Sequence, residues 1–294
     1  MKEAPLLAPV RRGLLPIAVV ALISGSLVAL VLASDVHWDY YSHGGASGWG
    51  RLAAEGLSQP AFPDCNLAEQ SPVNLQGVPP RLGGLSLDYD PTPLVVTNNG
   101  HTIQVNYAAG STMAVEGKPY SLLQFHFHSP SEHEVGGART PLELHLVHRA
   151  ADGEYAVLGV ILAEGGANAA FEEILSVMPS TEGMTSTHRS LNAVDLLPAD
   201  LAYYSYDGSF TTPPCTEGVK WYVLNEAVTV SREQVVAFRK LEFLHHDGHF
   251  VGNARPVQPL NDRLIRTDTG STPAPPRITS PVTGNAGLVA APGP

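Results

Sequence analysis

The chain has 294 residues, a net charge of −11 from 28 acidic and 17 basic residues, and a hydrophobic share of 44%. So acidic a balance, with no run of Lys and Arg, excludes nucleic acid as a partner, and no phosphate-binding glycine loop or internal repeat is present. The two cysteines, Cys65 and Cys215, are far apart and form no CxxC, which excludes a four-cysteine metal cage.

Residues 1–34 pair Arg11-Arg12 with an uncharged apolar run from Gly13 to Ala33. Positive residues ahead of such a run mark a secretory signal peptide, and Val31-Leu32-Ala33 before Ser34 is a small-residue cleavage site. The run is also long enough to cross a bilayer, so an uncleaved anchor with the enzyme outside is the close alternative. Either reading places the protein in the periplasm or outside the cell, with membrane contact confined to this segment.

From 35 to 266, stretches rich in valine, leucine and tyrosine alternate with Gly, Pro and Asn turns, predicting one mainly β domain with a few edge helices. Leu94-Val-Val-Thr97 and Thr102-Ile-Gln-Val-Asn-Tyr107 read as a hairpin around Asn98-Asn99-Gly100, which projects His101 from a defined point. Helices are expected from Ala167 to Met178 and from Ser231 to Phe243. The last segment, 267–294, is rich in Thr, Ser, Pro, Gly and Ala, and its composition predicts disorder.

The chemistry is concentrated in Gln124-Phe-His-Phe-His128 and Glu143-Leu-His-Leu-Val-His148. Strand parity puts Gln124, His126 and His128 on one face and Glu143, His145 and Val147 on one face. If the two strands are neighbours, three imidazoles converge with Gln124 and Glu143 behind them to take their remaining N–H groups. Three nitrogen ligands with an open fourth position suit a catalytic zinc ion. A lone His-x-His on an apolar strand would be weak evidence; the third histidine and the two polar residues behind it carry the assignment.

These stretches, together with Gln70-Ser-Pro-Val-Asn74, Asn98-Asn-Gly-His101, Ser131-Glu-His133, Ser209-Phe-Thr-Thr-Pro-Pro-Cys215, Phe238-Arg-Lys-Leu241 and Arg255-Pro-Val-Gln-Pro-Leu260, resemble the α-class carbonic anhydrases from about Trp38 to Arg263. The short stretch between His128 and His145 resembles the bacterial branch. The resemblance implies a large twisted, mainly antiparallel central sheet and reversible hydration of carbon dioxide to bicarbonate and a proton by zinc-bound hydroxide, the reaction that is the standard illustration of water activated by zinc. It implies that His126, His128 and His145 hold Zn2+ and that Thr211 donates its hydroxyl to Glu132. Thr212 would line the anion side, and Val147, Val157, Val219 and Trp221 the apolar pocket for carbon dioxide.

Phe210 stands where the family usually has leucine. His101 matches the proton shuttle, and Tyr40, Asn99 and Gln104 match positions that order its water. Cys65 and Cys215 match a pair that forms a disulfide in secreted members, bracing the loop of Thr211 and Thr212. Closing so long a loop stabilises by on the order of 4 kcal/mol in the chain-entropy model. The sequence leaves the oligomeric state open, a dimer included.

The other histidines read differently. By parity His148 points away from the metal into the core, and His133 is expected to be structural. His245, His246 and His249 read as a polar surface loop after the second helix. Two further readings are a catalytically silent binding module on the same fold and a metal-buffering protein using the extra histidines. The complete set of His126, His128, His145, Glu132 and Thr211 argues against the first, and metal stoichiometry separates the second.

Overall fold

The strand Thr92–Asn98 interleaves buried and less buried residues, whereas Leu142–Arg149 is buried throughout except at Arg149. The first pattern belongs to a strand with one well-covered face, the second to a central strand packed on both faces. The computed structural model, which describes residues 36–53, 58–76 and 84–267, places both in one twelve-stranded sheet. Along its main path the order is Gly183–Leu191, Thr92–Asn98, Ile103–Asn106, Lys118–His128, Leu142–Arg149, Tyr155–Glu164, Glu217–Leu224, Tyr203–Ser209 and Arg266–Thr267. Pairing is antiparallel except at Tyr155–Glu164, which runs parallel to both Glu217–Leu224 and Val228–Val230. A large, mainly antiparallel sheet is thus present, as expected.

The sheet separates two cores. On one face Phe125, Phe127, Leu144, Leu146, Leu158 and Val160 pack with Phe171 and Phe238 of the two α-helices. On the other, Val147, Val157, Ile161, Val219, Trp221 and Val223 form a smaller cluster. A register shift between Leu122 and Gln124 decides which residues of Lys118–His128 face which core. Leu122 pairs with His148 but Gln124 with Val147, so Leu123 is the extra residue of a bulge. The insertion inverts side-chain parity: Tyr120 and Leu122 lie in the larger core ahead of it, and Phe125 and Phe127 after it. Gln124, His126 and His128 are thereby turned to the opposite face.

The α-helices are shorter than expected, Ala169–Leu175 and Arg232–Phe238. Asn168 caps the first by accepting Phe171 N–H, and Ser231 with Gln234 forms a capping box on the second. The second helix stops because Leu241 is already extended, and Glu242–Leu244 is a separate 3-10 turn. The polar loop expected at His245–His249 is instead a small hairpin, in which His246 pairs with His249 across Asp247-Gly248, both at positive φ. Among the described residues no helix is long and apolar enough to cross a membrane. The expectations for 1–34 and for the tail beyond Thr267 concern segments outside the described residues.

Candidate metal centre

Antiparallel register sets His126 directly opposite His145, Gln124 opposite Val147, and His128 opposite Glu143. The three imidazoles of His126, His128 and His145 meet with ring centroids 5.1, 5.4 and 4.6 Å apart, and each offers a nitrogen within 4.8 Å of the other two. The remaining nitrogen of every ring is engaged. His126 Nδ1 lies 2.9 Å from Gln124 Oε1, His128 Nδ1 2.7 Å from the Asn253 carbonyl, and His145 Nε2 2.8 Å from Glu143 Oε1. Those acceptors call for N–H on the outer nitrogens, leaving Nε2, Nε2 and Nδ1 with lone pairs directed inward.

The donor set fits a zinc ion. His128 Nε2 is buried with no hydrogen-bond partner, an arrangement that costs about 1–3 kcal/mol if nothing else binds there. Burial, and then the neighbouring imidazoles, holds His126 well below the usual histidine pKa, so the ring is neutral as a ligand must be. His128 is lowered by burial as well. The second close group, His133, Glu143 and His145, is a hydrogen-bond network. Glu143 Oε1 accepts from His133 Nδ1 at 2.6 Å as well as from His145, and Oε2 accepts the backbone N–H groups of Glu132 and His133 at 2.8 Å each. Burial works to raise the Glu143 pKa, but the two imidazoles and these donors outweigh it and hold the carboxyl well below its ordinary range. His133 is itself closed on the far side by Tyr206, whose hydroxyl is 2.6 Å from Nε2, so its role is structural as expected.

Glu132 is fully buried beside the imidazoles. Its Oε1 accepts Arg255 N–H at 2.8 Å, while Oε2 has no hydrogen-bond partner and lies 3.5 Å from His128 Nε2 and 3.8 Å from His145 Nδ1. The bond expected from the Thr211 hydroxyl to Glu132 is therefore not made here; the free carboxylate oxygen faces the imidazoles instead. Thr211 is buried and Thr212 half-buried on the loop after Ser209. Cys215 donates its N–H to the Thr212 carbonyl and is disulfide-bonded to Cys65, 150 residues away, so the bridge ties this loop to the N-terminal part of the domain.

The sheet face beside the histidines is apolar. Val147, Val157, Val219 and Trp221 are buried in one cluster with Phe210 packed against it. The Trp221 ring meets His145 edge-on at 4.9 Å, and Phe210 meets Tyr155 edge-on at 5.0 Å. His148 lies on the other face and bonds Tyr89 Oη at 2.6 Å, as parity requires.

His101 follows Gly100, whose φ of 80° makes the tight turn between Thr92–Asn98 and Ile103–Asn106. Its backbone is held by Asn99 Oδ1, which accepts the N–H groups of His101 and Thr102 at 3.0 and 2.9 Å, and its carbonyl accepts from Asn253 Nδ2. Asn99 thus serves the turn, and Gln104 donates to Asn106 Oδ1 at 2.7 Å. Tyr40 packs edge-on to Trp38 and Trp49, and burial, then the charge of Glu132, pushes its phenol well above the ordinary value.

Three participants carried no recognised role in the sequence. Asn253 orients His128 through its backbone carbonyl and His101 through its amide, Trp38 stacks on His101, and Arg255 N–H holds Glu132. A backbone carbonyl leaves no residue-type signal; for Arg255 the motif was visible but the contact was not.

A family model described as eukaryotic-type carbonic anhydrase matches residues 55–269. A carbonic anhydrase of Pectobacterium atrosepticum is 37% identical over 84% of this chain and 97% of its own length, and one of Neisseria gonorrhoeae is 39% identical over 84% and 94%. Among solved structures, a hyperthermostable carbonic anhydrase from a hydrothermal vent chimney is 41% identical with a TM-score of 0.71, covering 79% of this chain and 99% of its own. The Thermovibrio ammonificans α-carbonic anhydrase in complex with the inhibitor sulfanilamide is 38% identical with a TM-score of 0.71 and the same coverage.

Proposed function

Because the chain belongs to the eukaryotic-type, or α, carbonic anhydrase family and is a carbonic anhydrase, we propose that it hydrates carbon dioxide reversibly with Zn2+ held by His126, His128 and His145, outside the cytoplasm. The observation that carries this reading is the set of three inward nitrogens, each ring fixed from behind by a different acceptor. A zinc ion bound there supplies a Lewis acid that makes hydroxide available near neutral pH.

The protein's own residues do the rest. Gln124, Glu143 and the Asn253 carbonyl orient the imidazoles. Glu132, with one oxygen on Arg255 N–H, keeps its second oxygen toward the imidazoles of His128 and His145, and Thr211 and Thr212 border the side where bicarbonate forms. Val147, Val157, Val219, Trp221 and Phe210 present an apolar wall to an apolar substrate. His101 accepts the proton that must leave, and Tyr40, Asn99 and Gln104 line its way. An aromatic sulfonamide, the ligand class of the Thermovibrio relative, is the expected inhibitor.

The catalytic domain is read as 35–266. The Cys65–Cys215 bridge supports an oxidising compartment, in agreement with an exported protein. Stopped-flow hydration measured before and after removal of metal by a chelator tests the reading. Activity that survives complete removal would end it.

A further inference from the structure

Beyond His145 and Val147 on the same strand stands Arg149, and strand parity keeps it on the face of the histidines. Register with the next strand sets Val147 opposite Val157 and Arg149 opposite Tyr155. The apolar wall therefore continues outward into an aromatic ring and then a cation. At about 3.4 Å per strand residue, the Arg149 backbone lies about 14 Å from that of His145.

The Arg149 guanidinium carbon is 5.2 Å from the centroid of the Tyr155 ring, and Tyr155 meets Phe210 edge-on with centroids 5.0 Å apart. These contacts join the wall beside the histidines to a positive charge at its outer end. On the flanking strand the bulge residue Leu123 falls between the levels of Val147 and Arg149 and is 40% exposed, so the surface here is open. Arg149 is exposed as well, and among the described residues its guanidinium has no carboxylate or hydrogen-bond partner. A guanidinium resting on an aromatic face keeps its in-plane N–H groups available, in the fork from which one carboxylate accepts two bonds.

Resting on the reading of a zinc centre at His126, His128 and His145, we infer that Arg149 and Tyr155 form a shelf that selects ligands with an aromatic body and a terminal carboxylate. The head of such a ligand binds at the metal centre, its body passes along Phe210 and Tyr155, and its carboxylate accepts from the Arg149 guanidinium. A carboxamide in the same place gains a hydrogen bond without the charge. An ammonium meets Arg149 as a like charge. Tyr155 is a positioning residue, because the ring face on which the guanidinium rests fixes where the fork points.

Calorimetric titration of the zinc-loaded full chain tests the shelf, using benzenesulfonamide and three para-extended benzenesulfonamides of one length that end in carboxylate, carboxamide or ammonium. The parent should bind the carboxylate about fivefold more tightly than the carboxamide, the size of a partly exposed ion pair, and the ammonium most weakly. The margin should shrink as ionic strength rises from about 0.01 to 0.15 M. Arg149→Ala should abolish the ranking and Tyr155→Leu should narrow it, while benzenesulfonamide, too short to reach the shelf, binds parent and Arg149→Ala alike. Equal affinities for the three extended ligands in the parent, or a ranking that persists in Arg149→Ala, would overturn the shelf while leaving the metal centre intact. Failure of benzenesulfonamide itself to bind the parent would remove the metal reading and the shelf with it.

Discussion

Gly159 lies directly across the sheet from His145. A Cβ at this glycine would stand 3.4 Å from Glu143 Oε1 and 3.2 Å from a methyl of Val223. The absence of a side chain thus makes room for the carboxylate that fixes His145. Gly159→Val should push Glu143 off His145, cost about 1–3 kcal/mol through overpacking, and weaken zinc binding. Competition against a chromophoric chelator measures the second effect; parental affinity in a folded variant would show that the carboxylate has slack.

His148 provides a pH signature away from the metal. Burial beside Tyr89 drives its pKa down to about 3. Between about pH 6.5 and 3 the unfolded chain therefore binds a proton that the folded one refuses, so stability falls as pH is lowered through this window, by about 1.4 kcal/mol per pH unit from this group alone. His148→Gln keeps a polar partner for Tyr89 and removes the titration. Urea unfolding from pH 7 to pH 4 should give a steeper decline for the parent than for the variant; parallel declines would mean that His148 is not the source.

Phe210 borders the apolar wall and packs edge-on against Tyr155. Phe210→Leu should change the affinity for an aromatic sulfonamide more than the hydration rate, because a ligand larger than carbon dioxide meets this ring. Equal effects on both would count against a wall role.

The Cys65–Cys215 bridge predicts no free sulfhydryl in denatured, unreduced protein. Cys65→Ala with Cys215→Ala should lower stability by several kcal/mol, since a long loop is no longer closed in the unfolded chain. The loop of Thr211 should loosen, with loss of turnover exceeding loss of metal. Two thiols per chain in the assay would refute the bond.

Much of the site was legible because strand parity is a short-range property. From Gln124 to His128, and from Glu143 to Val147, alternate residues do share a face. Carried back across Leu123 the same rule fails, because one extra residue inverts the faces and nothing in Ser121-Leu122-Leu123 announces it. The helices were over-extended for a related reason. Apolar residues continue through Phe243, while the chain leaves the helix after Phe238 and becomes extended at Leu241. Asn253 is the clearest omission, since it meets His128 through a backbone carbonyl and His101 through an amide more than 100 residues distant in sequence. The contact of Thr211 is not legible in the motif, which places the loop, whereas a hydroxyl–carboxylate bond depends on side-chain rotamers that the sequence does not contain.

The central claim is that three imidazoles hold one ion. Elemental analysis of purified protein, with parallel samples of His126→Ala, His128→Ala and His145→Ala, tests it most directly. The prediction is one zinc per parental chain, and none retained after dialysis when any one ring is missing. A parental chain without zinc, or zinc kept at full occupancy in all three variants, would contradict it.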